Sequence, residues 1–314
     1  MKSKIIITVF LSCFISGLWA QDYFFTQNTT TLNLSPSFAG INSNASRFNF
    51  GYKVEPVTKL YNTIFISYDQ FFDKIKSGIG LNLLRDAGAG SKIGTSKICL
   101  NYTFEFDITK KVKVRPGINF SLGSEFVDFP DLVFGDQIST GGTSPVSIES
   151  PPIPSYSYLD FSSSLLIFGD KFWAGLTADH LVPSTNSAYF NKTYKNIQIS
   201  CFGGYKFLLS ESVNSYFEKS IVLTTNYVTN SKFDFLDFRT YLNWDILTVA
   251  LGYRNSPKAF KQYNSSSIIA IAGINLKNLK IGYSFDWGIN SYINYQEVSL
   301  TYLIPWIKVK KEEE

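Results

Sequence analysis

The chain has 314 residues, with 29 Lys and Arg against 25 Asp and Glu, a net charge of +4. That balance provides no clustered basic face for nucleic acid. One histidine and three cysteines exclude a His-rich metal site, repeated His-based dyads and a disulfide framework. Apolar residues make up 45% of the chain, yet after residue 20 no apolar run approaches the length of a membrane-spanning helix.

In chain order, Lys2 and Lys4 precede the apolar run Ile5 to Trp19, which closes at Ala20 before Gln21 and Asp22. A basic start, a short apolar run and a small final residue describe a secretory signal peptide. The run is too short for a retained spanning helix, and it continues past Cys13, against a lipoprotein signal. Cleavage after residue 20 removes two lysines, leaving 27 basic against 25 acidic residues, together with Cys99 and Cys201. Strand phasing sets those two cysteines on opposite faces. Residues 21–45 are too polar to cross lipid. They fold either into a barrel interior as a plug or against periplasmic components, and Ser35-Pro36 and Ala39-Gly40 mark a fixed turn within them.

From residue 46 onward a two-residue period dominates. Phe48, Phe50, Tyr52 and Val54 alternate with Arg47, Asn49, Gly51 and Lys53. In ICLNYTFEF, Ile98 to Phe106, the apolar residues alternate with Cys99, Asn101, Thr103 and Glu105. Val114, Ile118, Phe120 and Leu122 oppose Lys113, Arg115, Asn119 and Ser121, and the rhythm returns at Ile197–Phe207, Leu236–Trp244 and Leu279–Trp287. Phasing is weak at Tyr61–Tyr68 and Ile268–Leu276. About 14 such segments, each near ten residues, predict an all-β transmembrane antiparallel up-and-down β-barrel over residues 46–304. Short links at Asp107–Lys111, Gly169-Asp170, Trp244-Asp245 and Lys277-Asn278 alternate with longer ones at Arg85–Ser96, Ser124–Tyr156, Asp179–Thr193 and Arg254–Ser266, although the turn near Thr229 to Lys232 is short on the long-loop side. Turns at one end and loops at the other are the asymmetry of an outer-membrane barrel, with the turns in the periplasm. The polar faces carry Asn, Ser, Thr and Gly, as a watery lumen would, where a soluble sandwich would carry dense charge outside. The apolar sides therefore face lipid and the polar sides face in.

Three stretches carry a family resemblance. QDYFFTQNTTTLNLSPSFAG, Gln21 to Gly40, resembles the mature N-terminus of the PorP/SprF-like outer-membrane proteins of the type IX secretion system, with Ser35 where the family usually has Asn. SYDQFFDKIKSGIGLNLLRDAG, Ser67 to Gly88, is similar to a family hairpin, and VDFPDLVFGDQI, Val127 to Ile138, to the segment that opens its long loop. The resemblance covers the first half of the chain; the second half follows by strand rhythm alone. It implies a closed barrel in the outer membrane, working with other type IX components and with secreted proteins, often adhesins, that carry a type IX C-terminal signal domain. In some members it implies support of gliding motility. The tail 305–314, ending KVKKEEE, departs from the aromatic terminus of many barrels and reads as solvated.

The candidate residues each carry two readings. In the loop 124–156, Phe134, Gly135, Asp136 and Gln137 form either a partner-binding anchor or a rim plug with a turn. Ser35, Pro36, Phe38 and Gly40 shape the N-terminal turn. Arg47, Lys53, Lys97, Glu105, Lys113, Arg115, Asp237, Arg239, Lys280 and Asp286 line the lumen, where they either grip a ligand or pair across strands. His180, beside Asp179, lacks the partners of a catalytic or metal centre, and Gly88 to Gly94 lack the strand-to-helix context of a phosphate loop. The expectation is a non-enzymatic barrel without cofactor that receives, secretes or anchors a surface protein. The alternative is a channel for small hydrophobic solutes.

Overall fold

The computed structural model describes residues 31–42, 45–57, 61–88, 93–127, 137–139, 142–143, 155–182, 185–186, 193–210, 219–230, 234–256, 266–289 and 294–305. Residues 1–30, with the signal-peptide reading, and the tail from 306 lie outside them. The strands are β1 (Ala45–Val54), β2 (Asn62–Phe72), β3 (Ser77–Gly88), β4 (Ile93–Phe104, resuming at Phe106–Asp107), β5 (Lys113–Val127), β6 (Ser155–Phe168) and β7 (Phe172–Asp179). They continue as β8 (Gln198–Ser210), β9 (Lys219–Thr229), β10 (Asp234–Trp244), β11 (Leu247–Asn255), β12 (Ser266–Asn275), β13 (Leu279–Gly288) and β14 (Tyr295–Pro305). Each pairs antiparallel with its chain neighbours, and β1 pairs with β14 from Ala45↔Pro305 to Val54↔Gln296. The result is a closed barrel of 14 strands. Among the described residues no helix is long and apolar enough to cross a membrane. In hydrocarbon no water can satisfy an unpaired backbone group, so a spanning sheet has to close on itself.

Polarity is inverted relative to a soluble protein. Arg115 is 1% exposed and Asn49 and Glu297 are 0%, whereas Leu251 is 67% and Leu100 55% exposed. In ICLNYTFEF, Ile98, Leu100 and Tyr102 are exposed while Cys99, Asn101, Thr103 and Glu105 are buried. The inner amides stack side by side: Asn119 Nδ2 donates to Asn101 Oδ1 at 2.8 Å and Asn101 Nδ2 to Asn82 Oδ1 at 2.6 Å.

The link expected at Arg85–Ser96 is mostly strand: β3 and β4 pair out to Gly88↔Ile93. At its end Ala87 and Gly88 are both buried and residues 93–97 all partly so, so alternation fades although the ladder continues. The long loop is likewise shorter than 124–156, since β5 reaches Val127 and β6 starts at Ser155. The two weakly phased stretches are strands too. β2 turns Phe65 and Phe71 inward, and β12 turns Ile269 and Ile271 inward. Apolar residues on the inner face blurred the pattern, and the interior is accordingly no simple water-filled lumen. Val222, Tyr241, Ala250, Ile269 and Ile271 form an apolar cluster inside the C-terminal half.

Leu100→Arg, in the middle of β4's outer face, should cost about 2–4 kcal/mol of barrel stability in lipid, with Leu100→Phe near neutral. Urea unfolding in vesicles, followed by heat-modifiable migration, measures both.

Candidate functional site

The second group of inner apolar residues has a different partner. A four-residue helix, α1 (Thr31–Leu34), and a 3₁₀ turn, Pro36–Phe38, lie inside the barrel rather than in its wall. Leu32 and Ala39 pack on Phe65 of β2 and Leu84 of β3, and Leu34 and Phe38 pack on Leu166 of β6 and Phe202 of β8. The Phe38 and Phe202 rings stand 5.4 Å apart. Burying Leu32, Leu34 and Phe38 is worth about 1.5–3 kcal/mol each. Locally the turn follows from its residues: Ser35 Oγ accepts from the Ser37 amide at 3.3 Å, and Pro36 occupies the first position, where no N–H is needed. Gly40 leaves the turn at a φ of 63°, which favours glycine.

Polar groups of the wall grip this segment's backbone. Asp69 Oδ1 accepts from the Gly40 amide at 2.8 Å, while Asp69 Oδ2 accepts from Arg47 Nε at 2.8 Å. Arg47 Nη2 donates to Phe38 O at 3.3 Å, and Arg115 Nη1 donates to Ala39 O at 3.2 Å. Thr103 Oγ1 reaches Ala39 O at 3.3 Å, and Thr177 Oγ1 reaches Leu34 O at 3.3 Å. The Ser37 amide donates to Ser164 Oγ at 3.1 Å. Glycine makes the approach possible: a Cβ on Gly78 would stand 2.1 Å from Ala39 O, and one on Gly117 2.6 Å from the Ser37 nitrogen.

Arg115 is itself held. Glu105 Oε2 accepts from Arg115 Nε at 2.8 Å and Nη2 at 2.6 Å, and Lys113 Nζ donates to Glu105 Oε1. The flanking register, Thr103↔Gly117 and Phe106↔Val114, sets Pro116 opposite Phe104 and Arg115 opposite Glu105. Proline has no N–H for the ladder, so β4 breaks there, and the buried Glu105 meets the guanidinium. The Phe71 ring lies 4.6 Å and the Phe168 ring 5.2 Å from the guanidinium carbon.

A second charge cluster lies toward the opposite end. Asp237 accepts from Arg239 Nε at 2.8 Å and Nη2 at 2.7 Å on its own strand, and from Arg254 Nε at 3.1 Å and Nη2 at 2.7 Å on β11. Arg254 Nη1 is 3.6 Å from Asp286 of β13, so one network spans the inner wall there. Lys53 is buried with its Nζ 5.0 Å from the Tyr295 ring centroid. Lys97 is half-buried on β4, and Lys280 is exposed near the turn end of β13. His180, in a left-handed conformation with φ 61°, has Nδ1 2.6 Å from Asp160 Oδ2, a carboxylate partner that its sequence neighbours did not reveal. Among the described residues no three His, Cys, Asp or Glu side chains gather as metal ligands do.

Of the loop candidates, Gln137 is buried; Phe134, Gly135 and Asp136 lie outside the described residues. The sequence reading singled out neither Asp69 nor Arg254. Asp69 stands in the poorly phased β2, and Arg254 sits at the end of an alternation, Thr248 to Arg254, whose inner positions hold only Ala and Gly in between. At the turn end, Lys76 Nζ is 2.6 Å from Asp107 Oδ2. That hydrogen bond, then the charge of Asp107, hold the Lys76 ammonium above the usual lysine range and tie the β2–β3 turn to the end of β4.

These features define an outer-membrane β-barrel with an occupied interior. The chain matches the family described as type IX secretion system membrane protein PorP/SprF over residues 19–302, and it belongs to that family. No curated protein sequence matches it. Among solved structures it is similar to the Acinetobacter baumannii outer membrane protein Omp33, at 7% identity and a TM-score of 0.50, covering 83% of this chain and 98% of that one. The Ralstonia pickettii toluene transporter TbuX aligns at 9% identity and a TM-score of 0.49, covering 89% and 94%. At such identities the likeness is one of fold alone.

Two substitutions test the grip on residues 31–41. Asp69→Ala leaves Arg47 buried without its carboxylate and should cost about 3–5 kcal/mol, read as a lower urea midpoint in vesicles. Gly78→Ala should displace Ala39 while leaving the strands paired; hydrogen exchange at residues 37–40 should quicken about tenfold or more, with strand amides unchanged.

Proposed function

We propose that this barrel is a non-enzymatic component of the type IX secretion system that receives, secretes or anchors a cognate surface protein, adhesin-like in kind, by holding its C-terminal signal domain. Gliding motility is one process such anchoring serves. The observation that carries the reading is the occupied interior: residues 31–41 sit in the barrel, gripped by Asp69, Arg47 and Arg115. A lumen filled in this way, with an apolar cluster in its other half, favours work done at surfaces over diffusion of solutes through the centre. In this reading residues 31–41 are the plug, the inner charges Arg47, Glu105 and Arg115 are structural groups that hold it to the wall, and Asp237, Arg239 and Asp286 pair within the wall itself.

Recognition is assigned to the loop end. Links between strands there span 128–154 and 180–197, whereas the turn-end links 169–171 and 245–246 are only long enough to reverse the chain. Loops of the larger size are commonly functional, and the Phe134-Gly135-Asp136-Gln137 stretch, at the start of the first, is the proposed anchor.

Deleting residues 144–154, which leaves every described strand intact, provides the test. Expected is release of the surface protein into the medium, with the heat-modifiable barrel band and small-solute uptake unchanged. Full retention together with altered solute uptake would instead support the channel reading.

A further inference from the structure

The turn-end mouth has chemistry that the loop-end reading does not use. A cavity of about 210 Å³ opens there between the 108–112 and 169–171 turns. Lys110, Lys111, Lys113 and Arg115 line it against Glu105 and Asp170, and Ile41, which follows the inner turn, forms part of its wall. Glu105 is already taken up by Lys113 and Arg115. Among the described residues the ion pairs at this mouth are those two with Lys76–Asp107 and Lys113–Asp107, which leaves Lys110 and Lys111 without one. Both lysines are exposed, on a turn that is held in shape: Thr109 Oγ1 accepts from the Lys111 amide at 3.2 Å and the Val112 amide at 3.0 Å. Around the same rim Lys74, Lys171 and Lys277 are also exposed.

A fixed cationic pocket of this kind fits carboxylates. Lipid phosphate is the other anion within reach of a barrel rim, but the pocket is on the wrong side of the wall for it. Lys113 and Arg115 share the inward phase of β5, and Phe168 packs against the interior cluster of Leu34 and Phe38. Headgroups meet the outward residues, such as Phe106 and Ile108, which are exposed. The deeper lining of the pocket, Ile41, Glu105, Arg115 and Phe168, belongs to the interior side of the wall.

We propose that this pocket docks an acidic segment of a partner protein on the periplasmic side, with Asp or Glu carboxylates seated between Lys110, Lys111 and Lys113. Arg115 bounds the pocket and also donates to Ala39 O. A carboxylate arriving there competes with Glu105 for the guanidinium that holds the inner segment, so docking at the mouth bears on how that segment is seated.

The test uses the folded barrel in phosphatidylcholine nanodiscs and a fluorescein-labelled hexaglutamate peptide, read by anisotropy at low salt. Expected is saturable binding that weakens about tenfold in Lys110→Glu/Lys111→Glu, about threefold in the corresponding Gln pair, and fades as salt rises; hexaglutamine should not bind. The heat-modifiable band of each variant should match the parent, since both side chains are exposed. The proposal is overturned if charge reversal leaves hexaglutamate binding unchanged, or if hexaglutamine binds equally well. It is overturned too if the only effect of reversal is a lost preference for phosphatidylglycerol nanodiscs, which would assign the lysines to lipid. A negative result here leaves the loop-end reading standing, because removal of residues 144–154 touches neither turn.

Discussion

A backbone amide in hydrocarbon has no water to turn to, and a single unpaired one costs several kcal/mol. That constraint requires the ladder between β1 and β14, Ala45↔Pro305 through Val54↔Gln296, which leaves the sheet without an edge. Once the ring is closed, every strand has one face toward lipid and one toward the inside. Polar side chains have only one place to go. Buried Asn, Ser, Arg and Glu beside exposed Leu, Ile and Tyr are the direct result.

An inside made of polar groups has its own problem, because each of them must be satisfied once water is displaced. For many of its inner groups this barrel answers it in two ways. Some groups satisfy one another across neighbouring strands, as Asn82, Asn101 and Asn119 do in a row and as Asp237 does with two arginines. Others are satisfied by the chain's own N-terminal segment, whose carbonyls at Leu34, Phe38 and Ala39 and amide at Gly40 meet wall side chains, Ala39 O meeting two of them. The arginines serve in both sets: Arg47 and Arg115 each hold a carboxylate and a segment carbonyl. Wall charge and interior filling are therefore a single structure, and the turn-end pocket shares Arg115 with it.

The local departures have local causes. Pro116 interrupts the ladder opposite Phe104, and that interruption lies beside the Glu105–Arg115 pair. Gly78 and Gly117 are bare where the backbone of residues 37–39 passes close to the wall. The inward Phe65, Leu84, Leu166 and Phe202, which contradict a purely polar lumen, are the ones that meet Leu32, Leu34, Phe38 and Ala39.

The strand rhythm, the even strand count and the outward face of residues such as Leu100 were all legible in the order of the residues; the alternation of short and long links was legible only in part, since the expected long link at Arg85–Ser96 is mostly paired strand. They depend on a period of two and on the polarity of each face, both of which are local properties. The family likewise was legible, in Gln21–Gly40, Ser67–Gly88 and Val127–Ile138, and the match over 19–302 bears it out. What only the tertiary structure decided is which residues meet across the barrel. Asp69 finds Gly40, Arg115 finds Ala39, Ser164 finds Ser37, and His180 finds Asp160. Separations such as the 127 residues between Ser37 and Ser164 leave no trace in a periodic pattern. The pattern states which way a side chain points; ring closure and the course of the N-terminal segment determine what it finds there.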